Sequence, residues 1–335
     1  MTLGIDPMVT LVVLNFNGYS KLGEKLGTNL RSILKTDYEN YQAIIVDNHS
    51  TDKSVQYISN LGLDPSITRL VVSESNLGFA GGNNFGARFA DQDSEYYVFL
   101  NNDVRIIDKS WLKTLTRVAR EFPQIGVVGC EQAIPAQSSS ASGMMDELGF
   151  CHSFGKLQSG LFGLVSYVGG AAFLIRRRLF DGLGGFDEDF FLEHEEVDLC
   201  WRVWIHGFQV ALTSGSIVFH EAKATTGTGT YLEYYGSRNR MMSLLKNYQL
   251  RRAITLSLVT SVLYIAITMY GLVTRTRSSE YIHALIWNLR KLPVTWKKRV
   301  STQSTRTVSD TNLIHRRIIV PPRPFQKLGN ANGFA

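Results

Sequence analysis

The chain has 335 residues, 44% of them hydrophobic, which is enough to fill a large core and excludes a disordered or fibrous protein. Its net charge of +6 hides an asymmetry: residues 246–335 carry 15 Lys and Arg against Glu280 and Asp310, while the first 245 residues carry 20 basic and 27 acidic side chains. Cys130, Cys151 and Cys200 have no paired or CxxC spacing, which excludes a disulfide framework and fits a reducing compartment, and no signal peptide is expected at the start.

From Met8 to Asn102 strand-like runs alternate with helical patterns. "VTLVVLN" is followed by Leu22, Leu26, Leu30 and Ile33 at near-helical spacing, and "AIIVD" by a helix that Asp52 can cap. "RLVVS" then leads to a helix over residues 83–90, and "YYVFL" runs straight into "NNDV". Continuous apolar strands alternating with helices predict an α/β fold, a mostly parallel sheet covered on both faces. Right-handed crossovers place the C-terminal ends of such strands on one edge, where open α/β sheets bind ligands. Here those ends read "LNFNG", "VDNHSTD", "SESNLGFAGGNNFG" and "LNNDV". Asn, Asp and Gly are ordinary turn residues, but four such ends converging on one edge favour a site.

Along that edge Asp47 is placed to accept from the imide N–H of a uracil or thymine ring in preference to serving a turn, with Asn15 and Asn17 holding the same nucleoside. Asn76, Gly78, Gly81, Asn83 and Asn102 complete the expected donor-binding set. The glycines at 78, 81, 82 and 86 contain no G-x-G-x-x-G, so a dinucleotide fingerprint is unsupported; they suit close backbone approach to a bulky polar ligand. In "NNDV" only Asp103 is charged, and one carboxylate can hold Mg2+ or Mn2+ where a diphosphate supplies further oxygens. His220, ending "SIVFH", suits Mn2+ better than Mg2+.

Trp111, Leu112, Leu115, Val118 and Phe122 mark an amphipathic helix, and "IGVVGC" a further strand. Residues 133–145, small and Ser-rich, read as a mobile surface loop near a pocket. "YVGGAAFLIRR" is a strand with paired glycines, and the half of the body after it is expected to be mixed in strand direction. In "EHEEVDLCWR" Asp198 and Arg202 are spaced for an ion pair, and the acids suit a helix N-terminus. Because the cluster lies between apolar "FF" and "LCW", at least one carboxylate is expected to face a pocket with a raised pKa, as a usable general base.

Residues 253–273 form an uncharged run long enough for a helix of about 31 Å, and residues 281–299 mix Trp, Tyr and Leu with a basic face. The region 246–335 is expected to be a basic helical tail in or on the cytoplasmic leaflet, with a single span as the runner-up; residues 300–335 show no clear periodicity and are expected to be partly disordered.

In this order, "VVLNFNG", "VDNHSTD", "NLGFAGGNNFG", "LNNDV", "GGAAFLIRR", "GGFDEDFFLEHEEVDLCWR" and "VFHE" resemble the family 2 glycosyltransferases of the GT-A fold, most closely their rhamnosyltransferase-like branch, over residues 8–245. The resemblance implies inverting transfer from a nucleoside-diphosphate sugar, dTDP-rhamnose or a UDP-sugar, to a hydroxyl of a glycan or lipid-linked acceptor, with a divalent metal on the diphosphate. It implies that Asp103 binds the metal, with Asn101 where a first acid often stands, that Asp47 reads the base, and that Glu196, with Glu195 beside it, takes the general-base position. Gly169, Gly170 and Asp198 would line the sugar and acceptor cleft. The expected domains are 1–245 for the transferase and 246–335 for the membrane-associating region. A second copy of the chain is an open partner and nucleic acid is not expected, since the tail holds no recognised binding module. The rival readings are a sugar-phosphate nucleotidyltransferase, disfavoured because "LNFNGYSKLGEK" lacks a Gly-rich, Arg-bearing loop, and a non-catalytic sugar-binding subunit, disfavoured because Asp103 and Glu196 are both present.

Overall fold

A computed structural model describes residues 6–134, 141–153, 160–221, 229–276 and 278–322. The first half runs β1 (Val9–Asn15), α1 (Gly18–Leu22), α2 (Lys25–Leu34), β2 (Tyr41–Asp47), α3 (Ser54–Ser59), β3 (Thr68–Val72), α4 (Gly78–Ala87), β4 (Tyr96–Asn101), β5 (Val104–Ile106), α5 (Trp111–Glu121) and β6 (Ile125–Ala133). It continues with β7 (Gly143–Asp146), β8 (Cys151–Ser153), β9 (Phe162–Leu164), β10 (Ala172–Arg176), α6 (Arg177–Gly182), a 3-10 turn (Glu188–Phe190), α7 (Glu195–Ile205) and β11 (Gln209–His220). The remainder is α8 (Thr230–Asn247), α9 (Leu250–Thr274), α10 (Ser279–Ser304), α11 (Asp310–His315) and β12 (Ile319–Val320).

The main sheet has the order β3-β2-β1-β4-β10-β6-β11-β5, with β9 against β11. The four strands that the hydrophobic pattern predicts are parallel, in register from Val9 beside Tyr41 to Asn15 beside Asp47. Beyond β4 the sheet is mixed, as expected: β10 is antiparallel to both β4 and β6, and β11 is parallel to β6. Side chains alternate between two cores, Val12, Ile44, Val46 and Phe99 on one face and Leu11, Val13, Ile45 and Leu100 on the other. Strand and helix lengths therefore fix where the polar strand ends emerge.

α4 begins five residues before the predicted helix. Its glycines are the reason: a Cβ on Gly82 would lie 2.6 Å from Leu14 Cδ1, and one on Gly86 2.5 Å from Val12 Cγ1. The helix can settle onto β1 and β2 only because those positions carry no side chain, so tertiary packing overrides poor helix propensity. Gly78, at φ 69°, faces the Phe191 carbonyl oxygen, 2.3 Å from where a Cβ would stand, and a Cβ on Gly81 would meet Leu77 at 2.9 Å. These glycines accommodate protein rather than a ligand, which corrects the expectation for Gly78 and Gly81.

The C-terminal region differs most from expectation. The boundary expected at 245 falls inside α8, and Leu244, Tyr248, Ala253, Leu313, Ile318 and Ile319 belong to the same core as the sheet. Residues 300–322 are ordered: α10 continues to Ser304, α11 follows, and β12 pairs in parallel with β7 through Ile319 beside Met145. That pairing also makes a strand of Gly143–Asp146, inside the stretch expected to be a loop; residues 135–140 and 323–335 lie outside the described residues. Nor is the tail's charge all available to external phosphate. Lys246 reaches Asp187 at 2.7 Å and Asp198 at 2.9 Å, Lys298 pairs with Asp187 and with Asp189 at 2.6 Å, Lys291 meets Asp189 at 3.1 Å, and Arg252 meets Glu147 at 2.6 Å. Three of the tail's lysines thus pair with Asp187 and Asp189 in the acidic segment before α7.

α9 is long and apolar enough to cross a membrane, with a mean hydropathy of 1.9 over a window only 22% buried. Ile254, Leu258, Val262, Met269, Leu272 and Val273 are exposed along it. Among the described residues no other helix passes that test.

Candidate active site

The polar strand ends do converge, and three of them close on one another. Asn15 Nδ2 donates to Asp47 Oδ2 at 2.8 Å, Asn102 Nδ2 donates to Asn15 Oδ1 at 2.7 Å, and Ser50 N donates to Asp47 Oδ1 at 2.8 Å. Asn15 and Asp47 are fully buried and Asn102 nearly so. This chain of bonds stitches the ends of β4, β1 and β2 together and satisfies groups that would otherwise be costly in a buried position. Asp47, expected with Asn15 and Asn102 to contact a nucleoside, here has both carboxylate oxygens taken by Asn15 and Ser50. Asn83 is buried as well, its Nδ2 donating to the Phe79 carbonyl at 3.0 Å while its Oδ1 has no partner. Asn17 and Asn76 stay on the open rim, Asn17 in the left-handed region at φ 50° with its Oδ1 accepting from Thr51 N at 2.8 Å, and Asn76 exposed with its Oδ1 accepting from Gly78 N at 2.9 Å. Asp52 acts as expected near the start of α3, accepting from Ser54 N at 2.9 Å.

Asp103 and His220 come together from different strand ends. Asp103 is 1% exposed, and its Oδ1 lies 3.3 Å from His220 Nε2 without forming a hydrogen bond. The tautomer follows from Gln132: its Nε2 donates to the Gly169 carbonyl at 3.1 Å, which turns Oε1 toward His220 Nδ1 at 3.2 Å. Nδ1 therefore donates to Gln132 Oε1, which leaves Nε2 directed at the carboxylate. A carboxylate and an imidazole nitrogen brought together at that distance suit a cation. Among the described residues no group of three His, Cys, Asp or Glu could hold a metal, so this pair supplies two ligands at most and a bound anion must supply others. Lys21 lies near enough to feel the charges of Asp52 and Asp103, although burial is the larger influence and lowers its pKa.

Gln132 connects this pair to the acidic cluster. A Cβ on Gly169 would be 2.6 Å from Gln132 Nε2, so Gly169 is a buried packing position rather than part of a cleft wall. Gly170 next to it is half-buried, and a Cβ there would sit 3.7 Å from Glu196 Cδ and 3.3 Å from Phe79 Cζ, which places this glycine beside Glu196.

Glu196 and Glu193 line a cavity of about 270 Å3 with Tyr167, His194, Arg240 and Ala141. Burial first, and then Glu193, push the Glu196 carboxyl up to about 7, so it can accept a proton near neutrality. Glu195 is buried away from that cavity, its Oε2 unpartnered, and burial together with Glu196 raises its carboxyl well above the usual range. The geometry thus separates the two glutamates that the sequence leaves paired. Asp198 is not in the cleft: fully buried, it accepts from Arg202 Nε at 2.8 Å, Asn247 Nδ2 at 2.8 Å and Lys246 Nζ at 2.9 Å. Those cations offset the burial that would otherwise raise its pKa and hold it below the usual range. It ties α7 to α8, which confirms the ion pair and corrects the cleft role.

The loop entering α7 is strained. Phe191, Glu193 and His194 have φ of 62°, 68° and 71°, each costing roughly 1–3 kcal/mol in a residue other than glycine. Asn239 on α8 fastens it, its Nδ2 donating to the carbonyls of Phe190, Leu192 and Glu193 at 2.9, 2.7 and 2.6 Å. Arg238 adds bonds to Asp189 and Phe190 at 2.6 and 2.8 Å. Nothing in sequence spacing links Asn239 to Glu196. The only cue is the polar run "SRNR" in the middle of the helix.

The family model for glycosyl transferase family 2 matches residues 10–184. The O-antigen biosynthesis protein RfbC of Myxococcus xanthus is 29% identical over 232 residues, 65% of this chain and 18% of the relative. The low-salt glycan biosynthesis hexosyltransferase Agl10 of Haloferax volcanii is 22% identical over 210 residues, 60% of this chain and 66% of that protein. The chain spans less than a quarter of the first two curated relatives it matches. Among solved structures, GalNAc-T7 with UDP, GalNAc and Mn2+ superposes with a TM-score of 0.60 at 15% identity over 72% of this chain and 48% of that one. Mannosyltransferase PcManGT from Pyrobaculum calidifontis with GDP-Man and Mn2+ gives 0.54 at 16% over 89% and 86%, and S. aureus TarS 1-349 with UDP-GlcNAc gives 0.57 at 13% over 89% and 89%. At such identities these structures establish the shared glycosyltransferase architecture, the GT-A sheet expected from the motifs.

Proposed function

The chain belongs to glycosyl transferase family 2, and from this premise we propose that it moves a sugar from a nucleoside diphosphate to a hydroxyl of a glycan or lipid-linked acceptor, with inversion at the anomeric carbon. The observation that carries the reading is the pairing, through Gln132 and the Gly169–Gly170 turn, of Asp103 and His220 with a glutamate poised near neutrality. The similar folds hold UDP with Mn2+, GDP-Man with Mn2+, and UDP-GlcNAc, which supports a nucleoside-diphosphate sugar as donor. Family branch favours dTDP-rhamnose or a UDP-sugar.

Glu196 takes the proton of the acceptor hydroxyl as its oxygen bonds to the anomeric carbon, and the bond to the diphosphate breaks on the opposite side. Asp103 and His220 would hold a divalent ion beside the diphosphate, where it would neutralise the charge that grows on the leaving group, and the imidazole favours Mn2+. Lys21 adds a cation on that side. Asn17 and Asn76 on the rim contact the nucleoside. The fastened loop before α7 keeps Glu196 in register with the acceptor.

The test is release of nucleoside diphosphate by the full chain with Mn2+ or Mg2+ and a panel of UDP-, dTDP- and GDP-sugars. Turnover of one donor class in the presence of metal is expected. Failure of every donor to be transferred or hydrolysed would remove the assignment.

We also place α9 in or on the cytoplasmic leaflet, supported by its exposed apolar face and by three free cysteines. Because the helices after residue 246 complete the core, truncation would unfold the protein and tests nothing about membranes. Leu258→Glu with Val262→Glu, both exposed, is expected to abolish co-sedimentation with anionic vesicles while the far-ultraviolet circular dichroism stays native; retained sedimentation would refute the anchor.

A further inference from the structure

Arg240 is 8% exposed and lines the cavity that holds Glu196. A buried cation is normally matched by a carboxylate, because leaving water without a counter-charge is costly. Among the described residues no acid forms an ion pair with Arg240, and the stretches outside them contain no Asp or Glu. The guanidinium is held by aromatic groups instead: its central carbon lies 3.5 Å from the Phe150 ring centroid and 5.4 Å from that of Tyr264, and Nη2 donates to the Tyr264 hydroxyl at 2.7 Å. Its Nε–H is buried without a partner. The glutamates of the cavity do not serve as its counter-ion, since Glu193 and Glu196 both have raised pKa values where a guanidinium in contact would lower them. His194 in the same cavity is neutral, burial and then Arg240 pushing it down to about 3, so it contributes no compensating charge.

We propose that the acceptor taken by this site carries an anionic group, a phosphate or a carboxylate, which pairs with Arg240 while its hydroxyl meets Glu196. The proposal rests on the sugar-transfer reading and narrows its substrate class. A planar guanidinium stacked on rings presents its N–H edge, and that edge matches the paired oxygens of either anion. Tyr264, which positions it, stands on α9, so the exposed apolar helix and the anion site share one support. A lipid-linked acceptor brings phosphate and an acidic glycan brings carboxylate.

The test uses the full chain, Mn2+ and the panel of UDP-, dTDP- and GDP-sugars, with alkyl glycosides supplied as matched neutral, 1-phosphate and uronate acceptors. One anionic series is expected to exceed its neutral counterpart in kcat/KM by about tenfold to a hundredfold, the worth of a charge-assisted contact. The phosphate and uronate arms tell the two sources apart. Arg240→Gln should bring that ratio close to one, and Arg240→Lys should restore part of it. If the stacked position does not tolerate Gln, the comparison within the native protein decides alone. Equal use of neutral and anionic acceptors, or a preference unchanged in Arg240→Gln, would overturn the proposal. Donor hydrolysis without acceptor is read in the same samples: hydrolysis with no charge preference sinks only the anionic acceptor, while no hydrolysis or transfer from any donor sinks the sugar-transfer reading.

Discussion

Glu196→Gln is expected to lower kcat for transfer by about 10^2- to 10^4-fold, the usual contribution of a positioned general base. The donor KM should stay within roughly threefold, because the lost interaction belongs to the transition state. Gln is nearly isosteric, and the carboxyl that it replaces is already half protonated at about pH 7, so little native-state charge is lost and the fold should persist. The comparison that isolates the role is Glu195→Gln. Glu195 is buried outside the acceptor cavity, so its replacement should cost kcat less than about tenfold. Steady-state kinetics on the two variants, with circular dichroism as the folding control, checks the assignment. A larger loss for Glu195 than for Glu196 would reverse it.

Asp103→Asn should be nearly as damaging at fixed metal concentration, a loss of at least about a hundredfold in kcat/KM for the donor. It removes the negative charge that the chain brings to the cation pair, whereas His220 is held in place by Gln132. Metal titration supplies a readout independent of turnover: the Mn2+ concentration giving half-maximal donor binding should rise with Asp103→Asn. It should also rise, by less, with Gln132→Leu, which frees the imidazole ring without removing a ligand. Metal-independent donor binding of equal strength in native and Asp103→Asn protein would refute the role of this pair.

How far the site was legible in sequence depends on whether its causes are local. The strands β1 to β4 were legible because each is a continuous apolar run with a polar end, and the edge followed from topology. Asp103 and His220 were singled out because Asp103 lies just past the end of β4 and His220 ends β11, and strand ends of one sheet meet. Asn15, Asp47 and Asn102 were found for the same reason, but not the bonds among them, since composition cannot tell a polar group that faces a ligand from one that bonds to the next strand end. "NLGFAGGNNFG" reads as a loop because glycine disfavours helix, yet contact with Val12 and Leu14 makes it one. The two-residue β12 has no periodicity to detect, and its pairing with β7 joins positions far apart in the chain. Arg240 and Asn239 were invisible for a related reason. Their importance lies in what surrounds them, an unpaired buried charge in one case and three carbonyls of a strained loop in the other. Asp198 shows the reverse, where helical spacing alone foretold the bond to Arg202.

The most direct test of the account is the pH dependence of kcat/KM for the acceptor in the native protein, since that profile reports the pKa of the base in the free enzyme. Burial and Glu193 raise Glu196 to about 7, and a base acts only when unprotonated. The rate constant should therefore fall close to tenfold per pH unit below about 7, level off above it, and lose this limb in Glu196→Gln. A profile flat from pH 5 to 8, or a limb that survives in Glu196→Gln, would contradict Glu196 as the base.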